Sequence, residues 1–171
     1  MIIDPRLTDL LEAFGASPWQ GEVWRHVFAN RDPLEPSWRP GRWSPGTLFP
    51  VLYTSLSRDC ALAEANHLIS RYSIPPSVGR VMASLAVGLE RVVDLTIDDR
   101  LAQLGVDLAA YALDAGRCPE IGAAANLIEY QAILAPSARH EAGNLVIFTE
   151  RLNDKCALSV KSTEPVGNGR R

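Results

Sequence analysis

At 171 residues, 47% of them hydrophobic and 22% charged, the chain has the composition of an ordinary soluble domain. It is long enough to bury about 70% of the surface its unfolded form exposes. A net charge of −3 excludes the basic surplus of a direct nucleic-acid binder. The three cysteines, Cys60, Cys118 and Cys156, include no Cys-x-x-Cys pair, which excludes a disulfide framework and a structural zinc site and fits a reducing cytoplasm. The segment from Met1 to Glu12 carries Asp4, Arg6, Asp9 and Glu12 and lacks a signal-peptide apolar region. No apolar run reaches the length of a membrane span. The expected location is the cytoplasm.

Leu7, Leu10, Leu11 and Phe14 fall at helical spacing, and Gly15 ends that segment. Val23, Arg25 and Val27 alternate with Trp24, His26 and Phe28, which predicts a strand. Residues 31–50 hold five prolines and two glycines, a long ordered loop of the kind more often functional than idle. Val51–Leu56 predicts a second strand, with Val51, Tyr53 and Ser55 on one face. Ser57 is a good N-cap for a helix running to about Ser70, with Asp59 in its first turn and Ala61, Leu62, Ala65, Leu68 and Ile69 as its apolar stripe. Ile74-Pro75-Pro76 breaks the chain. Val81–Val87 and Arg91–Leu95 predict a hairpin turning near Gly88. The segment Asp98–Tyr130 reads as helical, punctuated by Gly105 and Gly116, with Pro119 in the first turn of its last helix. Ala132–Leu134, Leu145–Phe148 and Cys156–Val160 predict further strands, and the end from Gly167 reads as frayed. The expected class is a single α+β domain.

Several polar side chains fall where chemistry is plausible, each with a structural alternative. Arg25 shares a strand face with Val23 and Val27; there a guanidinium needs an anionic partner, and a structural salt bridge is slightly favoured over a substrate contact. Arg42 lies between Gly41 and Trp43 in the Pro/Gly-rich loop, where backbone can approach a ligand and a guanidinium can fork onto phosphate; the alternative is a solvated loop arginine. Tyr53 is either a stacking ring or a core ring with its hydroxyl paired at the edge. Glu64 flanks the apolar stripe of its helix, a placement that often raises a carboxyl pKa at a pocket wall, although His67 three residues on is a candidate structural partner. Ser137 lacks a Gly-x-Ser-x-Gly elbow, the histidines lack metal-binding spacing, and neither a Walker nor a Rossmann glycine motif occurs. A cation, an aromatic hydroxyl and a carboxylate on three consecutive segments nevertheless form a kit for binding a nucleotide and cleaving a glycosidic bond.

In their order these motifs resemble the RES-domain family. The carriers are Arg25; Gly41-Arg42-Trp43-Ser44-Pro45-Gly46; Val51-Leu52-Tyr53-Thr54-Ser55; Glu64; Pro136-Ser137-Ala138; and Gly143-Asn144-Leu145-Val146-Ile147. The asparagine usual after the tryptophan is absent, and the loop from Trp43 to Tyr53 differs slightly in length. The resemblance implies an ADP-ribosyltransferase-like fold with a split, bent β-sheet and flanking helices. It divides the chain into a helical extension (1–20), a catalytic domain (21–162) and a flexible tail (163–171). It implies a toxin of a bacterial type II toxin–antitoxin pair that depletes NAD by hydrolysis or phosphorolysis. NAD would be a substrate rather than a bound cofactor, inorganic phosphate a candidate co-substrate, and an Xre-type helix-turn-helix antitoxin the partner, with no metal, membrane or direct nucleic-acid binding.

On that basis Arg42, Tyr53, Glu64 and Ser137 are the catalytic candidates, and Arg25, Gly41, Trp43 and Asn144 the substrate-binding ones. Glu64 would stabilise the positive charge that develops on the ribose and hold a ribose hydroxyl, Arg42 together with Arg25 would grip the pyrophosphate, Tyr53 would stack on the nicotinamide or line its pocket, and Ser137 would bind the ribose or orient Glu64. Two alternatives stand beside this reading. One is a protein mono-ADP-ribosyltransferase, distinguished by where adenylate label ends up. The other is a non-catalytic partner-binding module that presents some of Trp19, Trp24, Trp38 and Trp43.

Overall fold

The computed structural model describes residues 3–75 and 77–167. Helix α1 (Pro5–Phe14) begins where the Asp4 carboxylate accepts the Arg6 N–H and ends at Gly15, whose φ of 76° suits glycine. Leu7 and Leu11 are its buried residues. Strand β1 (Ser17–Phe28) starts six residues before the expected Val23. Strand β2 (Val51–Ser55) leads directly into α2 (Arg58–Arg71), where the Ser57 hydroxyl caps the helix by accepting from the Cys60 N–H. The break expected at 74–76 includes Pro76, which lies outside the described residues.

The hairpin expected near Gly88 does not form. Arg80–Asp94 is one continuous strand, β3. Gly88 stands opposite Gln20 of β1 on one side and opposite Ala157 on the other. Pairing along both edges therefore carries the chain straight through the glycine.

The segment from Asp98 to Tyr130 is also less helical than expected. It holds a single turn, α3 (Arg100–Gln103), and α4 (Cys118–Leu127), with turns between them. Asp107 and Asp114 each accept the backbone N–H two residues on, a local bond that competes with helix. Gly105 and Gly116 adopt positive φ. Pro119 does sit in the first turn of α4.

The remaining strands are β4 (Ala132–Pro136), β5 (Gly143–Phe148) and β6 (Ala157–Pro165). Their pairings close a ring. β1 runs antiparallel to β3, and the end of β3 runs parallel to β4. β4 is antiparallel to β5, β5 to β2, and β2 returns to β1 at Trp24–Ser55. β6 lies on the outer edge of β3. Of the tail expected from 163 onward, Thr163–Pro165 belong to β6, and 168–171 lie outside the described residues.

Both faces of the central strands are buried. Val51, Val146 and Phe148 pack with α1, α4 and Trp43, whereas Leu52, Leu145 and Ile147 pack with Val23, Leu85 and Val92. That explains why these strands read as continuous apolar runs rather than alternating ones. The molecule is a single-domain α+β protein.

Candidate active site

Glu64 is half-buried in the second turn of α2. Its Oε1 accepts from Ser137 Oγ at 2.6 Å and from Asn144 Nδ2 at 3.0 Å. Oε2 has no hydrogen-bond partner among the described residues. The orientation of Asn144 is itself determined. It stands opposite Ser55 in the β2–β5 register, and the Ser55 hydroxyl donates to its Oδ1 at 2.8 Å. With Oδ1 thus engaged, the amide must present Nδ2 to the carboxylate. The loop after β4 and the start of β5 therefore clamp one carboxylate oxygen and leave the other open.

His67, a candidate partner for Glu64, lies instead against Arg139, with Nε2 and Nη2 2.9 Å apart. The partners of Glu64 come from residues more than seventy positions away in the chain.

Arg42 is held by a loop that sequence reasoning did not connect with it. Its guanidinium carbon lies 4.5 Å from the centre of the Tyr111 ring, and Nη1 donates to the Asp114 carbonyl at 3.0 Å. Tyr111 in turn donates its hydroxyl to the carbonyl of Pro136 at 2.8 Å, the residue before Ser137. Its phenol is pushed above the usual range, chiefly by burial; Cys118 and Glu64 add to the shift and Arg42 opposes it. Tyr111 thus lies within electrostatic reach of both the cation and the carboxylate. Its only sequence signal was an aromatic between glycine-punctuated turns, and no spacing ties it to Arg42.

Tyr53 seats the Pro/Gly-rich loop. Its hydroxyl accepts the Trp43 N–H at 3.2 Å. A Cβ at Gly41 would lie 2.5 Å from that hydroxyl, so the loop can pass there only as glycine. Burial pushes the Tyr53 pKa up to about 12, against the opposing pull of the Trp43 N–H and the Arg42 charge. Trp43 itself is 1% exposed, so its indole belongs to the core and is not presented to a partner or substrate. Trp38 is the exposed tryptophan of that loop, at 52%.

Arg25 finds a carbonyl rather than a carboxylate. Nη1 donates to the Pro33 oxygen at 2.8 Å, which ties β1 to the start of the long loop. Burial lowers its pKa to about 10, countered in part by the charges of Glu35 and Asp32.

Two open concavities lie elsewhere, along β1 and β3, and neither includes Arg42, Tyr53, Glu64 or Ser137. Among the described residues no cluster of three or more His, Cys, Asp or Glu is placed to hold a metal. No helix among them is long and apolar enough to cross a membrane.

One α+β ring of strands thus carries both a clamped glutamate and an arginine-bearing glycine loop. Residues 16–166 match the RES domain, and the chain belongs to the RES domain family. It is 26% identical over 147 residues to the NAD(+) phosphorylase MbcT of Mycobacterium bovis (strain ATCC BAA-935 / AF2122/97), covering 80% of this chain and 77% of that protein. The same figures hold for MbcT of Mycobacterium tuberculosis strain H37Rv. The fold is similar to a chain in the crystal structure of the M. tuberculosis MbcT–MbcA toxin–antitoxin complex. The TM-score is 0.84 at 22% identity, with 98% of this chain and 95% of that chain covered.

Proposed function

We propose that this chain is the toxin of a bacterial type II toxin–antitoxin pair and that it depletes NAD by cleaving the nicotinamide–ribose bond with phosphate as acceptor. The observation that carries the reading is the Glu64 carboxylate, fixed through Oε1 by two donors and left open at Oε2. The names of the similar MbcT proteins support phosphorolysis.

Cleavage builds positive charge on the ribose ring, and a preorganised carboxylate beside it stabilises that charge. Glu64 Oε2 faces the ribose, and Ser137 and Asn144 orient the carboxylate. Arg42, stacked on Tyr111, keeps N–H donors for the pyrophosphate. Tyr53 lines the nicotinamide pocket and, with Gly41, shapes the loop that closes over NAD. The backbone at Trp43 and the Arg25 anchor contribute through that loop. The ring of strands corresponds, on this reading, to the split, bent sheet of ADP-ribosyltransferases, with NAD in the cleft beside α2. The partner is an Xre-type helix-turn-helix antitoxin, and the site of action is the cytoplasm, where NAD is available.

The test is to incubate purified, antitoxin-free protein with NAD, with and without phosphate, and to follow nicotinamide release. The expected product is ADP-ribose 1″-phosphate, formed only with phosphate. Adenylate label that becomes protein-bound would instead establish a protein ADP-ribosyltransferase. Tight antitoxin binding without any turnover would establish a binding module.

A further inference from the structure

We infer that Arg139, seated on His67, is the receiving site for the inorganic phosphate that attacks the ribose, an inference that rests on the phosphorolysis proposed above. Ser137 links this arginine to the carboxylate. Its hydroxyl donates to Glu64 Oε1 at 2.6 Å and accepts the Arg139 N–H at 3.0 Å. One side-chain oxygen therefore fixes the arginine backbone relative to the glutamate. The guanidinium then reaches α2, where Nη2 lies 2.9 Å from His67 Nε2. A guanidinium only donates, so this nitrogen of His67 carries the lone pair. His67 is three residues from Glu64 on the helix, a spacing that makes the two side chains neighbours on one face.

Four arginines, Arg31, Arg58, Arg100 and Arg117, lie within 4 Å of a carboxylate. Arg139 has no carboxylate within that distance among the described residues, although Glu64 is one helical turn from its imidazole seat. Its guanidinium rests on an imidazole nitrogen through Nη2 and leaves its other donors uncommitted for the bidentate fork that phosphate takes. Arg42 is a second arginine, stacked on Tyr111, whose hydroxyl bonds the carbonyl of the residue before Ser137. A phosphate dianion beside an anionic Glu64 needs a cation of its own, and the pyrophosphate of NAD needs the other.

The step balances without a base. An oxygen of hydrogen phosphate forms the bond to the ribose anomeric carbon, and the carbon–nitrogen bond breaks with its electron pair going to the nicotinamide nitrogen. That pair neutralises the pyridinium charge, and the proton left on the phosphate is lost to solvent. Water as acceptor would likewise shed a proton to solvent, so a filled phosphate site favours phosphorolysis over hydrolysis by occupying the position from which water would attack.

The test measures nicotinamide release by wild-type protein, Arg139→Gln and Arg139→Lys. Phosphate is varied at saturating NAD, then NAD at saturating phosphate. Arg139→Gln is expected to raise the KM for phosphate tenfold or more while the KM for NAD stays within twofold. Arg139→Lys, which retains the charge without the fork, should fall between; it also carries the comparison should the glutamine variant fail to fold. A raised KM for NAD with an unchanged KM for phosphate would assign Arg139 to the dinucleotide and overturn the inference, as would no change in either. If wild-type protein turns over no NAD at all, the proposed reaction fails on its own. The site is then decided by broadening of the ³¹P resonance of inorganic phosphate. Broadening by wild-type protein that Arg139→Gln abolishes supports it, and equal broadening or none overturns it.

Discussion

Ser137→Ala tests the clamp on Glu64; it also removes the acceptor of the Arg139 N–H, which is why the assay is run at saturating phosphate. It deletes the shorter of the two hydrogen bonds to Oε1, 2.6 Å against 3.0 Å from Asn144, and leaves the second in place. A hydrogen bond to a charged group contributes about 1.5–3 kcal/mol, and about 1.4 kcal/mol is tenfold in rate. If the bond acts by holding the carboxylate in its transition-state position, kcat/KM should fall between about tenfold and about 150-fold. The assay is nicotinamide release at saturating phosphate, repeated in a Glu64→Gln background. Glu64→Gln alone should cost about a hundredfold or more, the scale of losing a preorganised electrostatic group. In that background Ser137→Ala should cost no more than about threefold, because residues acting as one unit are not additive. Equal losses in both backgrounds would mean that Ser137 does not work through Glu64. Near-normal activity of Ser137→Ala alone would remove the clamp from the mechanism.

Gly122→Ala in α4 would place a Cβ 1.9 Å from the Trp43 carbonyl oxygen and 2.7 Å from its carbon, both backbone atoms that cannot swing aside. It should destabilise by about 1–3 kcal/mol or more and displace the adjacent Arg42; an unchanged thermal midpoint would refute the packing argument. Tyr53→Phe leaves the Trp43 N–H without its acceptor and should cost about 1–3 kcal/mol, read as a drop of roughly 2–4 °C in Tm per kcal/mol. His26 on β1 has a pKa lowered to about 4 by burial and by Arg80, and its Nε2 is buried without a hydrogen-bond partner among the described residues. The unfolded chain therefore binds a proton that the folded chain refuses, so stability is complete above about pH 6.5 and declines as pH falls toward about 4. His26→Phe should flatten that part of a denaturation-versus-pH curve, and an unchanged slope would rule His26 out as its source.

How far the sequence discloses this site follows from where its partners lie. Tyr53 and Glu64 belong to one strand–helix unit, β2 into α2, so their spacing survives as a readable pattern. Gly41 and Arg42 are legible because a Pro/Gly-rich loop leads straight into β2. Gly88 shows the opposite case: its local pattern reads as a turn, but distant strands pair along both its edges and overrule it. Tyr111 is invisible for a related reason. It meets Arg42 through a set of Asx turns and meets Ser137 through the Pro136 carbonyl, contacts that no local periodicity encodes. The same holds for the feature on which the proposed chemistry depends. Glu64 is readable as a half-buried carboxylate, but which of its oxygens is free follows from the amide orientation of Asn144. That orientation is set by Ser55 across the β2–β5 register. The residues of the site are therefore local facts, while its polarity, one oxygen held and one offered, is a property of the closed ring of strands.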